Sequence, residues 1–157
     1  MDQFPDAINT LPLTPFAEGE ILLNEGAAGS QIFFLMSGTL EVRKDNVMIT
    51  RVRERGAMFG EMSVLLGCPH TATVRAWSDV ECRVADDPQQ FLLAHPEVMF
   101  YISRVLARRL ESLNRYLVDV KQQLRSQAGH VGMIDGVLEA LMNRHPRHIP
   151  PNYDGGD

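Results

Sequence analysis

The run from Phe59 to Val74, FGEMSVLLGCPHTATV, sets an acid, three hydroxyls and an imidazole within sixteen residues. A helix opening just after Gly60 points its free amides and the positive end of its dipole outward, which makes an anion site. Gly60 lets the backbone come close, so the amides of Glu61, Met62 and Ser63 form the expected cradle. An ionised carboxylate only accepts hydrogen bonds, so Glu61 suits a hydroxyl beside the anion and not the anion itself. Its plainer reading is a first-turn acid that favours the helix dipole. Thr71 can donate its hydroxyl or can be an ordinary β-branched strand residue. His70 can face the anion or face solvent. Histidine ordinarily titrates near about 6.5, and a neighbouring anion favours the cation, so binding through it is expected to tighten as pH falls from about 8 to 6.

These residues need a scaffold. From Gly19 to about Val84, short apolar runs are broken by glycines every 8 to 12 residues or so, the rhythm of an antiparallel barrel or sandwich. The expected strands are residues 20–23, 31–37, 39–44, 47–52, 73–76 and 81–85, with turns at 25–29 and at Asp45 and Asn46. Gly38 inside its run predicts a bend or bulge. Asp86 and Asp87 stand before Pro88 as cap and first-turn charges. Pro96 and Glu97 open a long helix. In it Leu106, Leu110, Leu113, Leu117, Val120 and Leu124 make a heptad seam, which suits either pairing with a second copy or packing on the chain's own barrel. Gly129 is expected to break that helix, residues 133–143 to make one more, and the proline- and glycine-rich tail to be irregular. The predicted divisions are a lead-in at 1–15, a barrel at 16–95, the long helix at 96–128 and a short helix with tail at 129–157.

The 157 residues suffice for one domain with a modest appendage. Hydrophobic residues at 45% and charged ones at 22% are the balance of a soluble globular chain. Lys plus Arg number 15 against 20 Asp plus Glu, a net −5, the wrong sign for a main partner of nucleic acid. Arg75 alternates with apolar Val74 and is expected to point outward. Arg43, Arg51, Arg53, Arg55 and Arg83 read as solvated surface charges. Cys68 and Cys82 are too few for a disulfide framework and fit a reducing cytosol. No apolar run approaches the roughly 18 residues of a membrane span, and the first residues do not read as a signal peptide, so the expectation is a cytoplasmic protein without membrane partners. No pairing of acids or histidines makes an active site, so no enzyme activity is expected.

The FGE turn, the short apolar helix and the PxTATV strand, in that order, resemble the phosphate-binding cassette of the cyclic nucleotide-binding domain family. The stretch GEILLNEGAAGSQIFFLMSGTLEV is similar to the family's first strands, with glycines at Gly19, Gly26, Gly29 and Gly38. With the ARRL segment from Ala107 to Leu110, the resemblance covers roughly Phe16 to Lys121. It implies a mainly β fold with α: an antiparallel β-roll or jelly-roll barrel, a short cassette helix and a long C-terminal helix. The implied ligand is cAMP or cGMP, with no other cofactor and no metal. The implied ligand-binding residues are Gly60, Glu61, Met62, Ser63, His70, Thr71 and Ala72, with Glu61 on the ribose 2′-hydroxyl and Asn114 on the base. The long helix implies a homodimer.

One position departs from the family. An arginine that pairs with the cyclic phosphate is replaced by His70. Losing that charge-assisted fork costs about 1.5–3 kcal/mol, or one to two decades of affinity. The competing reading is a degenerate barrel that no longer binds nucleotide and serves as a dimerisation or protein-interaction module. A third uses Cys68, Pro69 and His70 at a haem or metal. The 28 residues after Gly129 are too few for a winged helix-turn-helix, so no direct DNA binding is expected and the output passes through dimer state or an unidentified protein partner.

Overall fold

A computed structural model describes residues 3–125 and 128–143. Its strands are β1 Leu13–Phe16, β2 Ile21–Leu23, β3 Ile32–Ser37, β4 Leu40–Lys44, β5 Val47–Val52, β6 Met58–Phe59, β7 Thr73–Ala76 and β8 Val80–Ala85. The helices are a 3-10 turn at Asp6–Thr10, α1 Glu61–Leu66, α2 Pro88–Ala94, α3 Pro96–Gln123 and α4 Ala128–Asn143. Every strand pairing is antiparallel, in two four-stranded sheets ordered β1-β8-β3-β6 and β2-β7-β4-β5. The antiparallel β-roll with a short helix and a long one is therefore present.

Alternation builds the core. Phe33 and Leu35 of β3, Leu40 of β4, Val74 and Ala76 of β7, and Val80, Cys82 and Val84 of β8 form one buried cluster with Leu23 and Phe59. The intervening Ile32 and Phe34 are buried too, so β3 is covered on both faces. Ile8, Leu92, Val98 and Ile102 are buried outside that cluster, bringing the 3-10 turn, α2 and the start of α3 into the folded unit. Phe4 meets the Tyr101 ring edge-on at 5.9 Å, and the Tyr101 hydroxyl donates to the Gly56 carbonyl at 2.9 Å.

The β4–β5 hairpin turns on Asp45 and Asn46, both at positive φ (50° and 62°), as a two-residue hairpin of primed type requires. Asp87 caps α2, its Oδ1 accepting from the Gln90 amide at 3.2 Å. Two expectations need correction. Residues 13–16 form a strand, β1, which was not among the expected strands, and a 3-10 turn precedes it. Gly129 does not break a helix: α3 ends at Gln123, and Gly129 lies in the first turn of α4, where amides lack helical partners and glycine is tolerated. The tail from 144, with His145 and His148, lies outside the described residues.

The chain divides between Ile102 and Ser103 into two compact units. In the second unit Arg115 pairs with Glu111 at 2.6 Å and Lys121 with Asp135, the latter pair joining α3 to α4. Among the described residues no helix is long and apolar enough to cross a membrane.

Candidate functional site

Gly60 links β6 to α1 at φ 86° and ψ −5°, in the left-handed region. A Cβ there would also collide with the Gln31 carbonyl oxygen, so dihedral and packing both require glycine. Seven residues later Gly67 ends α1 at φ 64°, its amide donating to the Ser63 carbonyl at 2.9 Å. Within α1, Met62, Leu65 and Leu66 are exposed. Glu61, 4% exposed, and Ser63 are buried. Glu61 stands at the first helical position, beside the positive end of the α1 dipole, where an acid is favoured.

His70 is tied at both ends. Its amide donates to the Ala27 carbonyl at 2.9 Å, and its carbonyl accepts from the Gly26 amide at 2.8 Å. These two bonds stitch the residue to the β2–β3 turn. Its side chain is only 8% exposed, with Nδ1 2.8 Å from Ser63 Oγ. The ring lies over Gly29, where a Cβ would run into Nε2 and Cε1. His70 therefore does not face solvent. It braces α1 against the β2–β3 turn, with one ring nitrogen on Ser63 and the other against Gly29.

The rest of the cassette is more open. Thr71 is exposed and its carbonyl accepts from Lys44 Nζ at 2.8 Å, while Ala72 is half-buried at the approach to β7. Lys44 also pairs with Glu25 at 3.7 Å, and the Glu25 amide donates to Thr73 Oγ1 at 3.0 Å. This ammonium beside the cassette was not singled out in the sequence, because only the fold brings β4 next to Thr71. Gly60, Glu61, Met62, Ser63, His70, Thr71 and Ala72 all lie in the first unit, where the Ser63–His70 hydrogen bond links the α1 residues to those ahead of β7. Asn114 belongs to the second unit, where its Nδ2 donates to Met142 Sδ at 3.5 Å and its Oδ1 is buried without a hydrogen-bond partner.

The arginines need partial revision. Arg75 points away from the core as expected. It is not simply solvated, however, since Arg43, Arg51 and Arg75 all converge on buried Glu41. Arg83 is half-buried and donates to the Leu11 carbonyl at 2.8 Å. Arg53 and Arg55 are exposed. Among the described residues no group of three or more His, Cys, Asp or Glu is placed to hold a metal ion.

The model of the cyclic nucleotide-binding domain matches residues 13–92. The cGMP-dependent protein kinase egl-4 of Caenorhabditis briggsae is 25% identical over 138 residues, which is 82% of this chain and 18% of the kinase. The chain thus spans about a fifth of the length of the curated relatives it matches. The catabolite activator protein of Thermus thermophilus superposes with TM-score 0.60 at 23% identity, covering 76% of this chain and 57% of that one, a likeness of fold. PKAR CBD2 with Sp-2Cl-cAMPS bound superposes with TM-score 0.58 at 27% identity, covering 76% of this chain and 80% of that one. With the family model matching just over half of the chain and the FGE turn, α1 and β7 lying inside the match, this chain belongs to the cyclic nucleotide-binding domain family.

Proposed function

We propose that this chain is a cyclic nucleotide sensor module, cytoplasmic and not itself an enzyme, that takes cAMP or cGMP in the cassette. The reading rests chiefly on the FGE turn, with Gly60 held left-handed and Glu61 buried at the first position of α1. The amides of Glu61, Met62 and Ser63 would receive the cyclic phosphate and Glu61 the ribose 2′-hydroxyl. His70 and Ser63 would share the phosphate with Thr71, and Lys44 would add long-range attraction. Asn114 is the proposed base contact. The relatives named for cGMP or carrying a cAMP analogue support the ligand class.

A homodimer through α3 belongs to the same proposal. Leu110 and Leu113 of the heptad seam are 41% and 46% exposed, so this part of the leucine stripe is available to a second copy. The output would then pass through dimer state or a partner chain.

His70 favours a second reading. With Nδ1 on Ser63 and the ring against Gly29, the side chain is engaged within the protein, which suits a barrel whose cassette has closed on itself and which serves as an interaction module. Thermal melting with each nucleotide separates the two. A sensor is stabilised by about 2.7 kcal/mol when ligand stands at 100 times Kd. An unchanged melting temperature at millimolar cAMP and cGMP supports the closed module instead.

A further inference from the structure

The outer face of the sheet β2-β7-β4-β5 carries a second organised cluster that the nucleotide reading does not use. At its centre Glu41, 1% exposed, accepts from Arg75 Nη2 at 2.8 Å and Arg43 Nη1 at 3.1 Å on Oε1, and faces Arg51 Nε at 3.5 Å across Oε2. Strand register produces this convergence, because Glu41 stands opposite Arg51 on one side and Arg75 on the other. Trp77, the chain's single tryptophan, is 42% exposed, with the Arg51 guanidinium 3.6 Å and that of Arg75 5.8 Å from its ring centroid.

The cluster has unused capacity. Three guanidinium groups meet one buried carboxylate, so positive charge is left over on a chain whose net charge is −5. Glu18, on the rim of an adjoining cleft of about 340 Å³ with Gly19, Arg75, Ala76 and Trp77, offsets part of it. Arg75 Nε is buried without a hydrogen-bond partner. Exposed Ile21 pairs in register with Arg75, and exposed Met48 with Arg43. Arginine, tryptophan, methionine and isoleucine around a fixed charge are the composition of an interface centre. Glu41 and Trp77 also hold the guanidinium groups in place before any partner arrives, which lowers the ordering cost of binding.

We propose that this face docks an acidic segment of a partner protein, with its carboxylates on Arg51 and Arg75 and an apolar side chain against Trp77. Charge complementarity selects this occupant. A second copy paired by a two-fold axis would oppose arginine with arginine. A nucleic acid would leave Ile21 and Met48 without apolar partners. The proposal stands independently of nucleotide binding.

Because Trp77 is the only tryptophan, its emission reports directly on this face. The full chain is titrated with a short synthetic peptide alternating aspartate and leucine, with its asparagine analogue, and with oligo-dT. The expected result is a saturable change with the aspartate peptide alone, weakened about tenfold between roughly 50 and 300 mM salt and about tenfold again by Arg51→Gln. No saturable change, or equal affinity for the asparagine analogue, overturns the proposal. Preferential binding of oligo-dT overturns it in favour of nucleic acid. If Arg51→Gln melts well below the parent, the salt dependence and the asparagine analogue decide the matter on the unsubstituted protein.

Discussion

Replacing Gly60 by alanine tests whether the cassette geometry is built into the backbone. At φ 86° an alanine pays the left-handed penalty of about 1–2 kcal/mol. Its Cβ also meets the backbone carbonyl of Gln31, which cannot turn aside as a flexible side chain would, and such overpacking adds about 1–3 kcal/mol. Gly67 isolates the first effect, since its φ is 64° and no atom lies within 4 Å of where a Cβ would stand. Gly67→Ala should cost only about 1 kcal/mol, and Gly60→Ala about 2–5 kcal/mol. For a folded unit of roughly one hundred residues, each 1 kcal/mol lowers Tm by about 4–8 °C, so thermal melts separate the variants easily. Equal losses at the two glycines, or a Gly60→Ala loss under about 1 kcal/mol, would refute the packing described around β6 and α1.

Two pH effects and one change of assembly follow from other groups. Burial pushes the Glu41 carboxyl up, and the hydrogen bonds and charges of Arg43 and Arg75 outweigh it, leaving its pKa below the usual 4.5. A carboxylate lowered in the folded state contributes stability that is present above about pH 4.5 and lost as pH falls through the folded pKa. Melting from pH 5 down to 3 should therefore show a shallower acid decline in Glu41→Gln than in the parent. Burial pushes the Cys82 thiol up from 9.0 to about 12, so its contribution is intact below pH 9 and fades as pH rises toward 12. Denaturant titration should find about 2 kcal/mol of that loss between pH 8 and 10.5, and Cys82→Ala should lack this part of the decline. Aspartates at Leu110 and Leu113 should convert a sedimenting dimer to monomer, whereas a parent already monomeric at high concentration contradicts pairing through α3.

Much of the barrel was legible because its signals are local. β5 and β7 fall at their expected bounds, and β3 and β4 start one residue later than expected, since apolar runs punctuated by glycine and the Asp45-Asn46 turn are read within a few residues. The cassette was legible for the same reason: Gly60, α1, Gly67 and β7 follow one another in the chain. β1 was missed because Pro15 demotes LTPF as a strand; it survives as the edge of its sheet, beside β8 alone. β6 has two residues and no periodicity to read. The Ser63–His70 bond and the Gly29 contact depend on how α1 folds back against the β2–β3 turn. The Glu41 cluster depends on register between β4, β5 and β7, which residues so far apart in sequence cannot announce.

The most direct test of the central claim is calorimetric titration of cAMP and cGMP into the protein at pH 6 and pH 8, repeated with His70→Arg. Micromolar binding of at least one nucleotide is expected, tighter at pH 6, with a gain of about one to two decades with arginine at pH 8. Absence of heat with either nucleotide in both proteins would contradict a sensor and leave the closed interaction module. Measurable affinity that is the same at both pH values would show that His70 does not carry the phosphate.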